Sequence, residues 1–264
     1  MAFKPTLSLV LMFILCQVAI GQKRYVVFAN GYKGFKHDKE TTANDVDTLP
    51  DSYWMNYDDT LMKRFAGAKA IYIDGHHPIN TTPHRTKTKA ISSYLVTRFA
   101  WLSRGPGWAM NDTPNPIGFN VRFHNGQLCG LTFCKDFLCS DKRDTIDIVC
   151  HSMGYAYALG FLDAVDEQMI LGKILILAPE SPSVMGYDWN RFQQVWQIGS
   201  NRLEPHADRV CQQDGIAPQS AVKNIESLDV TKGGRVFLPQ KAPRGFIRSH
   251  HLNWWQWLLE IKKG

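Results

Sequence analysis

Residues 145–157 read TIDIVCHSMGYAY, an apolar run followed by small and polar residues. The run Thr145–Cys150 is typical of a buried strand, and the pattern after Ser152 predicts a helix that ends at about Ala164. A serine on a strand-to-helix turn has a strained backbone and presents its hydroxyl above the sheet. Small residues are needed two positions before and after it, because the two backbones approach closely there. This stretch therefore predicts a sheet strand that ends in a presented serine hydroxyl.

Short apolar runs alternate with helical patterns along the rest of the chain. Further strands are predicted at Lys23–Ala29, Ala68–Asp74, Lys173–Leu177, Gln194–Ile198 and Arg235–Leu238. Helices are predicted at Asp58–Ala66, 86–103, 126–139 and Leu252–Ile261, and a loop is predicted at Gly105–Asn120. This alternation indicates an α/β fold, so we expect a mostly parallel sheet of about six strands with helices on both faces. Ligand-binding loops then lie at the carboxyl ends of the strands.

The chain has 264 residues, of which 44% are hydrophobic and 12% aromatic. This composition allows a buried core and excludes intrinsic disorder. The formal charge is +6, and no run of five or more like charges occurs. Because nucleic-acid-binding proteins cluster their positive charge, we predict no nucleic-acid partner. No internal repeat or linker divides the sequence, so residues 22–264 are expected to form one domain.

The N-terminal residues 1–21, MAFKPTLSLVLMFILCQVAIG, have the pattern of a secretory signal peptide. Lys4 supplies the positive region, Leu7 to Ile20 the apolar run, and Ala19-Ile20-Gly21 a small-x-small cleavage site. The apolar run is shorter than the ~18–20 residues that a membrane-spanning helix needs. We therefore predict export, to the periplasm or outside the cell, of a mature chain without a transmembrane segment. The alternative is a lipoprotein signal that uses Cys16.

Removal of that segment leaves five cysteines, namely Cys129, Cys134, Cys139, Cys150 and Cys211. The odd number leaves at least one thiol outside intramolecular disulfides, and the pairing of the others stays open. Their spacing matches neither a zinc finger nor a zinc ribbon. The segment Asp74-Gly75-His76-His77, with His84 nearby, also fits no familiar ligand pattern. We therefore predict no metal site.

The turn at Ser152 resembles the nucleophile elbow of the α/β-hydrolase family, and of its serine lipases and esterases in particular. The elbow of that family is G-x-S-x-G; here Cys150 stands in place of the first glycine and Gly154 keeps the second. The resemblance covers residues 24–262 and implies that Ser152 is a nucleophile. It also implies a histidine base and an acid that orients it, in the chain order serine, acid, histidine.

Two histidines fit the position that the resemblance implies for the base. The family carries this histidine just before the last helix, in a loop that here contains Ser249-His250-His251-Leu252. His251 is preferred, because leucine or isoleucine often follows the base in lipase relatives, and His250 is the alternative. The acid is implied at Asp214, since Asp214-Gly215-Ile216-Ala217-Pro218 resembles the D-G-V-V-P segment of lipase-like hydrolases. Glu204, closer to the end of the fifth strand, is the alternative acid.

The resemblance also implies two donors for the negatively charged oxygen of the transition state. One is the backbone N–H of Met153, the residue after the nucleophile. The other is the backbone N–H of Tyr32, in the segment Ala29-Asn30-Gly31-Tyr32 after the first core strand. Asn30 stands where the family usually has histidine. Around residues 75–125 we expect either a lid over the site or an insertion that packs on the surface.

These features predict an exported serine hydrolase that cleaves a carboxylic ester of a small molecule or a lipid through an acyl-enzyme. Such a reaction implies no organic cofactor. An acyltransferase or an amidase on the same residues is the enzymatic alternative. The sequence has no acyl-acceptor signature that would separate these activities from ester hydrolysis. A binding protein that keeps the fold without activity is the other alternative. Only the departures at Cys150 and Asn30 favour it.

Overall fold

Seven strands form one sheet in the computed structural model, which describes residues 22–31, 46–48, 52–65, 67–75, 116–137, 144–199, 220–237 and 252. The strands are β1 Arg24–Asn30, β2 Val46–Asp47, β3 Lys69–Asp74, β4 Thr145–His151, β5 Ile170–Leu177, β6 Gln194–Gly199 and β7 Gly233–Phe237. Their order in the sheet is β2-β3-β1-β4-β5-β6-β7. Neighbouring strands are parallel, except that β2 pairs antiparallel with β3.

The two central strands are buried on both faces of the sheet. Solvent reaches none of Val26, Val27 and Phe28 in β1, and none of Ile148 and Val149 in β4. Parallel strands that are covered on both faces have no polar side, so their sequences are continuously apolar. This burial explains the continuously apolar stretches Tyr25–Ala29 in β1 and Ile148–Cys150 in β4.

The described ranges contain three α-helices, which are α1 Tyr57–Met62, α2 Pro116–Phe137 and α3 Gly154–Val165. Helices α2 and α3 cover one face of the sheet, where Phe133 and Phe161 belong to the larger core. Helix α1 and the 3-10 turn Ser52–Trp54 cover the other face, where the ring of Trp54 meets that of Phe28 edge to face at 5.2 Å. The protein is therefore α/β, with helical layers on both sides of a mostly parallel sheet.

Helices α2 and α3 run parallel to each other. Phe119 near the start of α2 contacts Tyr155 near the start of α3, with ring centroids 6.0 Å apart. Further along, a β-carbon added to Gly130 would lie 2.7 Å from the β-carbon of Ala164. Both helices therefore begin at the edge of the sheet where β4 ends. The partial positive charges of both helix N-termini lie at that edge.

Glycines bring the backbones of α2 and α3 into direct contact. A β-carbon added to Gly126 would lie 2.0 Å from the carbonyl oxygen of Tyr157. One added to Gly160 would lie 1.8 Å from the carbonyl oxygen of Phe123. No side chain fits between the helices at these two positions, and glycine is required at both.

The sheet has seven strands, whereas the sequence predicted about six. The additional strand is β2, which has two residues and lies at the edge of the sheet. A segment this short carries no apolar period from which it could be predicted. The six predicted strands are all present, and β5 begins at Ile170 rather than at Lys173.

The predicted loop Gly105–Asn120 was wrong over its last residues, because α2 begins at Pro116 and not at residue 126. Proline suits the first turn of a helix, since its missing N–H would have no acceptor there. Helix α1 is also shorter than predicted and ends at Met62. The predicted helix at 86–103 lies outside the described residues. So does the predicted C-terminal helix, apart from Leu252.

Within the described ranges no helix is both long enough and apolar enough to cross a bilayer. Residues 1–21 lie outside those ranges, so the signal peptide stays a prediction. The same holds for most of the expected lid, because residues 76–115 are not described.

Candidate active site

The chain changes direction across the sheet between β1 and β4. From β1 it proceeds to β3 on one side, and from β4 it proceeds through β5, β6 and β7 on the other. Open α/β sheets bind their ligands at the carboxyl ends of the strands where such a reversal occurs. β1 ends at Asn30 and β4 ends at His151. Ser152 therefore lies at the position in the sheet that favours a ligand site.

Ser152 has a backbone φ of 58°, in the left-handed region that residues other than glycine rarely adopt. Its N–H donates to the carbonyl oxygen of Leu177 at 3.0 Å, and its own carbonyl accepts from the N–H groups of Tyr155 and Glu180, each at 3.1 Å. Such a conformation costs on the order of 1–3 kcal/mol and persists only where the surroundings fix it. The strained turn that the sequence predicted is present at this serine.

Two glycines allow the end of β1 to touch the serine turn. A β-carbon added to Gly154 would lie 2.3 Å from the carbonyl oxygen of Ala29. One added to Gly31 would lie 2.6 Å from the β-carbon of Ser152. Gly154 was predicted from the close approach of strand and helix, and the contact with β1 gives the reason. The role of Gly31 follows only from the three-dimensional arrangement.

Asn30 fixes the backbone at the end of β1. Its side-chain amide donates to Oδ1 of Asp74 at 2.8 Å and to the carbonyl oxygen of Gly31 at 2.9 Å. The side chain is buried, so these two hydrogen bonds are shielded from water. Asn30 thus holds the start of the loop in which the second oxyanion donor was predicted. That donor, Tyr32, lies outside the described residues.

Tyr53 is a neighbour of Ser152 that sequence reasoning missed. Its hydroxyl forms a hydrogen bond with Nδ1 of His151, which is buried directly before the serine. A β-carbon added to Gly31 would lie 2.7 Å from Oη of Tyr53 and 2.6 Å from the β-carbon of Ser152. The tyrosine hydroxyl and the serine side chain are therefore close neighbours. No sequence pattern links Tyr53 to the serine turn, because only the packing of the segment before α1 brings it there.

Met153 stands at the N-terminal cap of α3, with a helical φ of −59°. Amide groups in the first turn of a helix have no acceptor within the helix, and they lie at its positive end. The N–H of Met153, the predicted oxyanion donor, thus belongs to the N-terminal end of α3. The side chain of Met153 turns toward α2, where its Sδ accepts a hydrogen bond from Nη2 of Arg122 at 3.0 Å.

The predicted base and acid, His251 and Asp214, lie outside the described residues, and so do their alternatives His250 and Glu204. The residue after His251 is described. Leu252 is buried in the core cluster that includes Leu177, the last residue of β5. Leu177 is also the residue whose carbonyl accepts from Ser152.

Glu180 is a carboxylate near the serine turn that the sequence analysis did not consider. It follows β5 closely, its N–H donates to the carbonyl oxygen of Ser152, and its Oε2 is shielded from solvent. The resemblance implied the acid only after the fifth predicted strand, which is β6. The available signal was a glutamate three residues after Leu177, at the end of the strand beside β4.

Cys150 occupies the position of the first glycine in the elbow pattern. It is buried, its thiol is free, and its Sγ lies 3.8 Å from the carbonyl oxygen of Leu175. Burial raises the pKa of this thiol well above its ordinary value of 9.0. The sulfur is therefore protonated at neutral pH, and Ser152 is the better candidate for a nucleophile at this turn.

In the described ranges no three histidine, cysteine or acidic side chains meet as a metal site would require. Asp74, from the segment considered as a ligand set, is hydrogen-bonded to Asn30. The histidines of that set, His76, His77 and His84, lie outside those ranges.

The described residues thus define an α/β protein with a mostly parallel sheet and a strained serine where the strand order reverses. No protein-family model matches this sequence, and a search among curated proteins finds no significant match.

Proposed function

We propose that this protein is a serine hydrolase of the α/β-hydrolase type that cleaves a carboxylic ester. The observation that carries the proposal is the left-handed backbone of Ser152, between β4 and α3 and beside the end of β1. This conformation costs free energy in residues other than glycine; at Ser152, unlike at Ser181, it stands directly after β4, where the strand order reverses. A nucleophile benefits from it, because the hydroxyl then faces a substrate bound above the sheet.

In the proposed reaction Oγ of Ser152 attacks the ester carbonyl carbon while His251 accepts the hydroxyl proton. The N–H groups of Met153 and Tyr32 donate hydrogen bonds to the oxygen that becomes negative. His251 then gives its proton to the leaving alkoxide as the C–O bond breaks. Water, activated by the same histidine, hydrolyses the acyl-enzyme and restores the serine. This reaction requires neither a metal nor an organic cofactor.

Three features of the described residues support this assignment. The N-terminus of α3 supplies positive potential beside the serine, where negative charge would develop. Asn30 holds the loop that leads to Tyr32. Leu252, the residue after His251, is buried in the core cluster that contains the end of β5.

The proposed acid is Asp214, with Glu204 and Glu180 as alternatives. Glu180 enters on its backbone contact with Ser152 and its buried carboxylate oxygen. Replacement of the true acid by its amide removes the charge that orients and stabilises the histidine. We therefore expect Asp214→Asn to lower kcat by about 10⁴-fold, whereas Glu204→Gln and Glu180→Gln lower it only slightly. A large loss in either glutamine variant, with activity kept in Asp214→Asn, would move the role to that residue.

The nucleophile is tested with a fluorophosphonate probe, which reacts covalently with activated serines. We expect the folded protein to incorporate one probe on Ser152, located by peptide mass spectrometry. Ser152→Ala should take up no label. Ser181→Ala is the matched control, because Ser181 is also buried and also has a positive φ, of 51°.

Absence of labelling in the folded wild-type protein would reject the hydrolase and favour the binding protein. Turnover of 4-nitrophenyl hexanoate but not of the corresponding 4-nitroanilide would favour an esterase over an amidase. Transfer of the acyl group to an added alcohol in preference to water would favour an acyltransferase.

We also propose that the protein is exported after cleavage before Gln22. The support is the sequence pattern of residues 1–21. N-terminal sequencing of the protein from its native cells tests this proposal. A cytoplasmic product that retains Met1 would reject it, and a lipid-modified Cys16 would place the protein on a membrane.

A further inference from the structure

Arg122 of α2 holds its guanidinium against the residue that follows Ser152. Its Nη2 lies 3.0 Å from Sδ of Met153, and its Nη1 donates to the carbonyl oxygen of Gly118 at 3.1 Å. A thioether is a weak acceptor, and a backbone carbonyl carries no net charge. The Nε of Arg122 is buried and has no hydrogen-bond partner among the described residues. Neither contact neutralises this cation.

Two other arginines show how a structural arginine is held in this protein. Arg24 donates to both carboxylate oxygens of Asp147, at 2.5 Å from Nε and 2.9 Å from Nη2. Arg191 binds the carboxylate of Asp166. Arg122 has no carboxylate partner in the ranges that the structure describes. The role of its charge is therefore not explained by an ion pair within these ranges.

The position of Arg122 on α2 increases the positive potential beside the serine. Helices α2 and α3 are parallel and begin at the same edge of the sheet, so their N-terminal partial charges add there. The guanidinium lies on the second turn of α2, against the N-terminal cap of α3. A half-buried cation in this field attracts an anion more strongly than an isolated surface arginine does.

We propose that Arg122 binds a carboxylate of the substrate, so that the preferred substrates are anionic esters. This inference rests on the proposed esterase function and specifies its substrate class. The planar guanidinium donates two parallel hydrogen bonds, which match the two oxygens of a carboxylate. Because Arg122 contacts Met153, the residue directly after Ser152, a substrate carboxylate bound to the guanidinium would lie near the ester bond that Ser152 attacks.

The test compares kcat/KM for matched anionic and neutral esters. One pair varies the acyl side, with the 4-nitrophenyl half-ester of adipic acid against 4-nitrophenyl hexanoate. A second pair varies the alcohol side, with 4-carboxyphenyl hexanoate against phenyl hexanoate. We expect the wild-type protein to prefer the anionic member of one pair. Arg122→Gln should lower kcat/KM for that member by about 10- to 100-fold and leave its neutral partner within about threefold.

Two variants control for charge and shape. Lys135→Gln removes one positive charge from the exposed last turn of the same helix, and it should leave the preference unchanged. Arg122→Lys keeps the charge but loses the planar fork, and it should keep only part of the preference. Thermal melts of both Arg122 variants establish that they fold.

The wild-type protein alone provides a measurement that does not depend on the folding of any variant. Its preference for the anionic ester should decrease as ionic strength rises from about 0.05 M to about 0.5 M, because salt screens the attraction. Equal losses on anionic and neutral esters in Arg122→Gln would overturn the inference, as would a wild-type preference that is absent in both pairs. No turnover of any of the four esters would instead reject the proposed function.

Discussion

The two halves of strand β4 both bury polar side chains, but they hold them differently. In the amino-terminal half, Asp147 is fully buried, and its carboxylate accepts from the guanidinium of Arg24 and from the N–H of Lys173 at 2.6 Å. These hydrogen bonds join β1, β4 and β5. Directly after the carboxyl end, Ser152 has a strained backbone, and its neighbour His151 forms a hydrogen bond with Tyr53.

We infer from this difference that the amino-terminal half of β4 stabilises the fold, whereas its carboxyl end carries the proposed reaction. A buried carboxylate with a charged partner and a backbone donor is held in its lowest-energy arrangement, so it contributes to the fold. A serine in the left-handed region raises the free energy of the folded state, and such strain is concentrated at functional sites. Substitutions in the two halves of β4 should therefore affect different measurements.

The largest effect is expected at the carboxyl end. Ser152→Ala should lower kcat for a 4-nitrophenyl ester by roughly 10⁴- to 10⁶-fold, because the nucleophile is lost. The thermal melting temperature should stay close to that of the wild-type protein, since alanine bears the same backbone strain. A variant that keeps more than a tenth of the activity would show that Ser152 is not the nucleophile.

The two candidate bases give the next contrast. His251→Ala should lower kcat by about 10⁴-fold or more, because Ser152 then has no group to accept its proton. His250→Ala serves as the matched control and should lower it a few-fold at most. Steady-state kinetics on the same ester decide between them. An inactive His250→Ala beside an active His251→Ala would reverse the assignment.

Gly154→Ala tests whether the serine turn depends on its close contact with β1. The added β-carbon would lie 2.3 Å from the carbonyl oxygen of Ala29, so the backbone must shift. We expect a loss of about 2–3 kcal/mol in the free energy of unfolding. The resulting displacement should also reduce kcat by about 100-fold. Ala158→Gly, in the same helix, should cost about 1 kcal/mol and leave kcat unchanged.

Asp147→Ala probes the other half of β4. Loss of hydrogen bonds to a charged partner should lower the free energy of unfolding by about 2–3 kcal/mol, measured in urea. The value of kcat/KM under folding conditions should stay within about threefold, because Asp147 lies in the amino-terminal half of β4, away from the serine turn that follows its carboxyl end. Asp166→Ala is the control at a more exposed ion pair, whose carboxylate also accepts from the hydroxyl of Tyr187, and it should cost about 1–2 kcal/mol. A large loss of activity in folded Asp147→Ala would contradict the separation.

The smallest effect measures the strain itself. Ser152→Gly should be about 0.5–1 kcal/mol more stable than Ser152→Ala, because glycine adopts a φ of 58° without a steric cost. The gain is limited because glycine also increases the entropy of the unfolded chain. Equal stabilities from chemical denaturation would mean that the turn stores little strain.

The sequence predicted the centre of the sheet because the local pattern there agrees with the tertiary environment. The stretches Tyr25–Ala29 in β1 and Ile148–Cys150 in β4 are continuously apolar, as expected for strands buried on both faces. It failed at Pro116, where glycine, proline and asparagine resembled a loop. In the folded protein the proline occupies the first turn of α2, and glycines further along that helix meet α3. Those contacts depend on a neighbouring helix that the local pattern does not contain.

The candidate site divides in the same way. Ser152 and Gly154 were predictable because a strand-to-helix turn with small residues is a local pattern. Tyr53, Arg122 and Glu180 were not predicted, because each belongs to a different segment and reaches the turn only through the packing of the sheet and helices. Their residue types alone indicate no shared role.

Because the backbones of α2 and α3 are in direct contact, we expect a shift of one helix to displace the other. At Gly126 and Gly160 there is no side chain between them that could rearrange to absorb a change in spacing. A methyl group added at Gly130, about two turns from Arg122, would lie 2.7 Å from the β-carbon of Ala164. We expect α2 to shift away from α3, which would move the guanidinium of Arg122 relative to Ser152. A substitution at such a distant position would then change the geometry between Arg122 and Ser152 while both residues stay the same.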